Sequence, residues 1–196
     1  MRIVPVEHGL QDLIGKSVGP RSEGLHMSDI YGSLFQELEP KRYAHKPGEE
    51  LPLLRFEAGL ALENILEQGL RQRLVERPGE FTTKEGIIFS PDLIMFNGTT
   101  RVGEMKLTWM TSGDAPREIV NGFPQRWDKW VVQMQSYCHC LETADARLIG
   151  FFINGPYPKD HKYTPELLAW DITFSKREMD ENWTMLMNHA KQRKML

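Results

Sequence analysis

The fold is decided by residues 90–109, whose sequence is SPDLIMFNGTTRVGEMKLTW. An apolar run follows Asp92, and Asn97-Gly98 then marks a hairpin turn, because both residues tolerate a positive φ. On the return strand, Glu104 and Lys106 stand two residues apart and therefore share one face. A hairpin of this length brings Asp92 beside Glu104. The stretch thus predicts two carboxylates and one ammonium group at the end of a sheet.

This predicted cluster favours a bound cation, because two carboxylates held close together repel each other. Mg²⁺ takes oxygen ligands, and one or two carboxylates plus a substrate phosphate commonly hold it. A lysine beside such a site can orient or deprotonate the attacking water and offset charge that develops on phosphorus. The alternative is a surface hairpin with an ordinary Glu–Lys pair, since Glu-x-Lys alone is common. The complete spacing, Pro-Asp followed by eleven residues and Glu-x-Lys, favours the metal site.

Composition bounds the class of protein. The 196 residues are enough for one domain, and a hydrophobic content of 40% supports a globular core. The net charge of −3 means that nucleic-acid binding must depend on local patches. The two cysteines, Cys138 and Cys140, suit a protein of the reducing cytoplasm. They are interpreted as small residues on a core helix rather than as ligands of a metal site. No apolar run approaches the ~20 residues of a membrane span, and no signal-peptide core is present.

The rest of the chain predicts alternating helices and strands. A loose lead-in covers residues 1–25, a loop covers 41–52, and a polar loop follows the hairpin. The predicted helices are one capped by Ser28 that ends before Pro40, then Leu53–Val75, Arg126–Glu142, and a last helix capped by Ser175 with Glu178. The predicted strands outside the hairpin are Phe81–Phe89, Ala146–Asn154 and Leu167–Phe174. The apolar strand Ala146–Asn154 is expected to be central in the sheet.

Cations and aromatic rings cluster after the hairpin, a mixture that suits single-stranded ends, where rings stack on bases and cations meet phosphates. The alternative is that the tryptophans belong to the core, and at least one is expected there. The residues concerned are Trp109, Arg117, Arg126, Trp127, Lys129 and Trp130.

Three motifs resemble a known family when they are taken together. Pro91-Asp92 with Glu104-Met105-Lys106 resembles the signature of the PD-(D/E)XK nuclease superfamily. Gln133-x-x-x-Tyr137, one helix later, is similar to a motif of the branch that contains λ exonuclease and the RecB nuclease domain. Gly59–Leu66 resembles the helical first motif of that branch. This chain departs from the branch in having Glu rather than His in the first motif, and it lacks the four cysteines that hold an iron–sulfur cluster in some relatives.

The resemblance implies an α/β fold with a restriction-endonuclease-like core, in which helices flank a mixed central sheet. It implies a single nuclease domain over residues 1–196 with a catalytic core at about 53–175. Asp92, Glu104 and the Met105 carbonyl would hold Mg²⁺ or Mn²⁺, with Glu63 completing the set. Glu57 is the alternative helical ligand. A further alternative is that both glutamates are solvent-exposed charges on the helix surface. Lys106 would orient or activate water, supported by Gln133 and Tyr137.

The implied activity is hydrolysis of DNA phosphodiester bonds, most readily by an exonuclease that acts at DNA ends in phage-type recombination or DNA repair. One alternative is an endonuclease on the same scaffold. Another is a catalytically silent DNA-binding or inhibitory protein, against which the intact Asp, Glu and Lys set argues. The expected partner is DNA, with no membrane. A homo-oligomer and a single-strand-annealing or recombination partner protein are also compatible with the resemblance.

Overall fold

The structure is a computed structural model that describes residues 22–43, 59, 61, 65, 68, 75–76, 78–96, 98–108, 111–115, 123–153 and 165–196. Its named helices are α1 (Met27–Leu38), α2 (Pro40–Tyr43), α3 (Asp128–Cys140) and α4 (Lys176–Gln192). Its strands are β1 (Val75–Glu76), β2 (Phe81–Thr82), β3 (Ile88–Phe89), β4 (Leu93–Phe96), β5 (Thr100–Thr108), β6 (Asp145–Phe152) and β7 (Glu166–Thr173). The lead-in up to residue 21 and most of the expected Leu53–Val75 helix lie outside the described residues.

A mixed sheet with the strand order β1-β4-β5-β6-β7 forms the centre of the molecule. Strands β5 and β6 pair in parallel, whereas the other neighbours pair antiparallel. The apolar strand β6 lies between β5 and β7, so its predicted central position is confirmed. The predicted fold class, a mixed α/β sheet flanked by helices, is also confirmed.

The predicted hairpin is formed by β4 and β5, which pair from Phe96 opposite Thr100 to Leu93 opposite Gly103. Gly98 in the turn has a φ of +80°, a conformation that glycine adopts without a steric penalty. Gly103 has a different reason to be glycine. A Cβ added there would lie 2.9 Å from the Leu93 Cβ, so the two strands approach too closely for a larger residue.

The two faces of the sheet bury different side chains. Val102 and Leu148 lie in the main core with residues of α1, α3 and α4, whereas Met105 and Ile149 belong to a separate cluster with Leu93 and Met95. Because side chains alternate along a strand, β5 presents Glu104 and Lys106 on the face that the helices cover. This placement positions the predicted polar cluster between the sheet and the helix layer.

Two helix starts test the predicted caps. The cap expected at Ser28 is wrong, since α1 begins at Met27 with His26 as its N-cap, two residues earlier than expected. The Asp29 carboxylate accepts a hydrogen bond from the His26 backbone N–H at 3.0 Å. The cap expected at Ser175 is confirmed: its hydroxyl accepts from the Glu178 N–H at 3.2 Å, and the Glu178 carboxylate accepts from the Ser175 N–H at 2.7 Å.

Two further expectations are corrected. The single strand predicted at Phe81–Phe89 is instead the two short antiparallel strands β2 and β3. Between them the chain turns back, because Gly86 has a φ of +81° and the Thr83 hydroxyl accepts a hydrogen bond from the backbone N–H of Ile87 at 3.2 Å. The loop expected from residue 41 begins with the short helix α2. None of the described helices has the length and apolar character needed to span a membrane.

Candidate active site

The two carboxylates of the hairpin lie side by side. Asp92 immediately precedes β4, and extending the pairing of Leu93 with Gly103 by one residue places Asp92 opposite Glu104. The Asp92 Oδ2 accepts a hydrogen bond of 2.7 Å from the Met105 backbone N–H. The Glu104 side chain has no exposure to solvent. The structure therefore brings together the acidic residues that the sequence predicts on separate strands.

Lys106 completes this acidic cluster. Its ammonium group pairs with the Glu104 carboxylate, and its side chain is 22% exposed. Burial works to lower the pKa of Lys106, but the Glu104 and Asp92 carboxylates outweigh burial and raise the pKa above its ordinary value. Lys106 is therefore a cation at neutral pH. In this state it can hold an anionic group or orient water.

Met105 turns its side chain away from the carboxylates, into the cluster with Leu93, Met95 and Ile149. Its backbone N–H points toward the neighbouring strand β4, since it donates a hydrogen bond to the Asp92 carboxylate. The N–H and C=O of one residue in an extended strand point toward the same neighbouring strand. The Met105 carbonyl therefore faces the edge at which Asp92 lies.

Gln133 and Tyr137 reach the cluster from α3. Both are buried, and the Gln133 side-chain amide donates to the Tyr137 hydroxyl at 3.2 Å. Burial raises the pKa of Tyr137 well above its usual value, with smaller contributions from Tyr31 and the nearby Glu104 charge. Tyr137 is accordingly a neutral hydrogen-bonding group beside the carboxylates.

Tyr31 of α1 is a site residue that the sequence does not reveal. It is 7% exposed, and its hydroxyl is hydrogen-bonded to that of Tyr137. Burial raises the pKa of Tyr31 to about 12, opposed by the positive charge of Lys106. In the sequence Tyr31 is one member of an apolar helical stripe with Ile30 and Leu34, so only its polar tip distinguishes it from a core residue.

A cleft of about 680 Å³ opens beside Lys106. Arg42 of α2 closes one side, because its guanidinium donates to the Arg126 carbonyl oxygen at 2.7 Å. The described residues that line the cleft include four cations and no carboxylate, so the cleft is suited to an anion. They are Ser28, Tyr31, Arg42, Tyr43, Lys106, Thr108, Arg126, Lys129, Trp130 and Gln133.

The predicted group of cations and rings divides between the cleft and the core. Arg126, Lys129 and Trp130 line the cleft. Trp127 is fully buried and packs edge-on against Trp170, with ring centres 4.9 Å apart, which confirms that at least one tryptophan belongs to the core. The other two members, residues 109 and 117, lie outside the described residues. The sequence also missed Arg42 and Tyr43, which it assigned to a loop.

The donor chemistry at the hairpin fits a hard divalent cation. Asp92 and Glu104 offer carboxylate oxygens, the Met105 carbonyl faces the same edge, and Mg²⁺ is commonly held by one or two carboxylates. Within the described part of the chain no group of three or more His, Cys, Asp or Glu side chains forms a metal-binding cluster. The candidate helical ligands Glu63 and Glu57 lie outside the described residues, so a third protein carboxylate has no described position.

The Cys138-His139-Cys140 segment lies at the other end of α3. Cys138 is fully buried in the main core, and its thiol lies 3.7 Å from the Asp145 carbonyl oxygen. The His139 ring stacks on Trp183 with ring centres 4.8 Å apart. Cys138 is therefore a small core residue, as the sequence favoured.

Comparison with known proteins supports the fold. No protein-family model and no curated protein matches the sequence. A phage-related exonuclease from Haemophilus somnus 129PT has a TM-score of 0.56 at 14% identity, covering 94% of this chain and 96% of that chain. LHK-Exo, an alkaline exonuclease from Laribacter hongkongensis solved in complex with dAMP, has a TM-score of 0.51 at 16% identity, covering 93% and 85%. A protein named SSO0001 has a TM-score of 0.51 at 13% identity, covering 91% and 82%. The chain therefore has the mixed α/β fold of solved exonucleases.

Proposed function

We propose that this protein is a metal-dependent DNA nuclease of the PD-(D/E)XK type, most readily an exonuclease that acts at DNA ends. The observation that carries the proposal is the placement of Asp92, immediately before β4, beside Glu104 and Lys106 on the paired strand β5, next to a cleft lined by cations. Metal-assisted hydrolysis of a phosphodiester uses such an arrangement, in which carboxylates hold the metal ion and positive charges hold the phosphates.

Each residue of the site has its own proposed role. Asp92, Glu104 and the Met105 carbonyl would hold Mg²⁺ or Mn²⁺, with Glu63 as a further ligand. The metal would supply a water of lowered pKa and Lewis-acid stabilisation of the phosphate. Lys106, held as a cation by Glu104, offsets charge that develops on the phosphorus oxygens. Gln133 and Tyr137 support this cluster through the hydrogen bond between their side chains, and Tyr31 holds the Tyr137 hydroxyl.

An exonuclease is favoured over an endonuclease by the solved structures that share the fold. One of them is described as a phage-related exonuclease, and another contains dAMP, which belongs to the mononucleotide class that an exonuclease releases. We also propose a role in phage-type recombination or DNA repair, with a single-strand-annealing or recombination protein as partner, as the resemblance of the sequence motifs implies.

The test compares linear DNA with covalently closed circular DNA, each incubated with Mg²⁺ or Mn²⁺ and with a chelator. Wild type, Lys106→Ala and the matched control Lys84→Ala are used, since Lys84 is an exposed lysine outside the cleft. We expect metal-dependent loss of linear DNA alone, abolished by Lys106→Ala and retained by Lys84→Ala.

Each other outcome selects an alternative. Cutting of the circular DNA identifies an endonuclease on the same scaffold. Binding of DNA with no cleavage under any metal identifies a DNA-binding or inhibitory protein. Cleavage that survives both the chelator and Lys106→Ala would place the active site elsewhere.

A further inference from the structure

Lys129 lines the cleft but does not belong to the cluster of Asp92, Glu104 and Lys106. It lies in the first turn of α3, four residues before Gln133 and eight before Tyr137. Residues at this spacing share one face of a helix. Lys129 therefore extends the line of Tyr137 and Gln133 toward the N-terminus of α3, about one helical turn, or roughly 6 Å, beyond Gln133 in the cleft lining.

Two tyrosine rings hold the Lys129 ammonium group in place. Its Nζ lies 5.6 Å from the centre of the Tyr31 ring and 5.0 Å from that of the Tyr43 ring. Both distances are within the range of cation–π attraction. A long, flexible side chain is thereby held in one position by rings from two other helices, so its charge is directed before any ligand arrives.

No acidic partner in the described part of the chain accounts for this arrangement. Among the described residues, no carboxylate lies within ion-pair distance of Lys129, whereas Lys106 is already paired with Glu104. Burial lowers the pKa of Lys129, and the charge of Lys106 lowers it further. Two cations that repel each other in a half-buried cleft cost free energy, and an anion between them removes that cost.

We propose that Lys129 is a substrate-binding residue that contacts a backbone phosphate of the DNA strand, next to the scissile phosphate, and that Tyr31 and Tyr43 are positioning residues for its ammonium group. The proposal depends on the proposed function only in taking DNA as the ligand. Lys106 acts at the scissile phosphate, and Lys129 holds the neighbouring phosphate one helical turn away.

The first experiment measures DNA binding, which does not require catalysis. A single-stranded oligonucleotide is bound in chelator over a range of salt concentrations, and the logarithm of the binding constant is plotted against the logarithm of the salt concentration. Each phosphate contact on a single strand contributes about −0.7 to this slope. Lys129→Met should make the slope less negative by about that amount, whereas Lys129→Arg should keep the wild-type slope. Thermal unfolding checks that each variant is folded, and Lys129→Gln replaces Lys129→Met if the latter does not fold.

Lys84→Met is the matched control, because it removes the same charge from an exposed turn between β2 and β3. An unchanged slope for Lys129→Met, or an equal change in Lys84→Met, would overturn the proposal, since the effect would then be absent or would reflect net charge alone. The aromatic contact is tested separately. Tyr43→Phe should bind DNA as wild type does, whereas Tyr43→Leu should bind more weakly. Equal binding by both Tyr43 variants would overturn the positioning role.

Kinetics distinguish this proposal from the proposed function. Lys129→Met should raise KM with little change in kcat, since it removes binding that the ground state and transition state share, whereas Lys106→Ala should lower kcat. If the wild type cleaves DNA but Lys129→Met leaves the salt slope unchanged, only the Lys129 proposal fails. If the slope changes but no metal supports cleavage, only the nuclease activity fails.

Discussion

At the scale of single residues, Asp92 takes part in a hydrogen bond and in an electrostatic interaction, and one substitution can separate the two. Its carboxylate accepts a hydrogen bond from the Met105 N–H, which helps to join the two strands, and its charge faces Glu104 and Lys106. Asparagine keeps an acceptor oxygen of nearly the same shape but removes the charge. The fold therefore needs the oxygen, and the proposed chemistry needs the charge.

We predict that Asp92→Asn lowers nuclease kcat by about 10² to 10³, the range seen when a single electrostatic group is removed from an active site. The free energy of unfolding should change by less than about 1 kcal/mol, because the hydrogen bond is retained. Metal titrations of DNA cleavage and urea unfolding measure the two quantities. Glu142→Gln, at an exposed position outside the cleft, is the control. Full activity of Asp92→Asn would contradict the metal site.

A second prediction at this scale concerns the two thiols. Burial raises the pKa of both Cys138 and Cys140 to about 12, with smaller contributions from nearby carboxylates. A raised pKa keeps a thiol protonated, and the thiolate is the reactive form. At pH 8 alkylation by iodoacetamide should therefore be slower than for a free cysteine by a factor on the order of 10², since the smaller thiolate fraction is offset in part by the greater nucleophilicity of a thiolate of higher pKa.

Mass spectrometry after timed labelling measures this rate, with urea-unfolded protein as the control that should react quickly. Rapid labelling of the folded protein at pH 8 would show that these thiols are accessible and ionised.

At the scale of secondary-structure elements, the β4–β5 pair is the critical contact, because it sets the position of Asp92 relative to Glu104. Gly103 permits the close approach of the two strands, and an added Cβ would also lie 3.1 Å from the Met95 Cε. The Met95 side chain can move aside, but the Leu93 Cβ is fixed to the backbone of β4. Extra volume at Gly103 must therefore push β4 away from β5.

We predict that Gly103→Ala destabilises the protein by about 1–3 kcal/mol, the usual cost of overpacking a core. It should also lower nuclease activity under conditions in which the variant remains folded, because Asp92 moves with β4. Thermal unfolding and an activity assay well below the melting temperature separate the two effects.

Gly113→Ala is the matched control, since a Cβ added there would meet no atom within 4 Å and its φ is not positive. A Gly103→Ala variant with wild-type stability and activity would show that β4 adjusts without cost.

At the scale of the whole molecule, Asp171 joins three strands on the sheet face away from the main core. Its carboxylate lies 2.9 Å from the guanidinium of Arg101 on β5 and accepts a hydrogen bond of 2.8 Å from Arg147 on β6. The hydrogen bond from Arg147 is the main reason that the pKa of Asp171 is lowered. The side chain is 51% exposed, so solvent screens much of this attraction.

The lowered pKa gives a definite pH dependence. Because the ionised form favours the folded state, its contribution is present above the ordinary aspartate pKa of about 3.9 and is lost as the pH falls through the lower pKa of the folded protein. Asp171→Asn should therefore be less stable than wild type at pH 7 by about 0.2–1 kcal/mol, and the difference should shrink toward pH 3.

Urea unfolding at the two pH values measures the difference, and high salt at pH 7 should reduce it. A difference that grew on acidification would mean that Asp171 favours the folded state in its protonated form.

The sequence by itself determined the local arrangements. The hairpin, the turn that contains Gly98 and the shared face of Glu104 and Lys106 follow from covalent spacing within twenty residues. The Ser175 cap and the apolar strand β6 follow in the same way. The expected cap at Ser28 failed because the Asp29 carboxylate accepts a hydrogen bond from the His26 backbone N–H, which favours His26 as the N-cap, and propensity alone does not settle this choice.

Only the tertiary structure decided what surrounds the acidic pair. Spacing places Gln133 and Tyr137 on one helix face, but it does not say that this face meets Tyr31, about a hundred residues earlier in the chain. The packing of α1 against α3 and the sheet brings Tyr31 to Lys129, and the short helix α2 that follows α1 brings Tyr43. Contacts within a hairpin or a helix are set by backbone geometry, whereas contacts between distant elements depend on which faces pack together, and that is a property of the whole core.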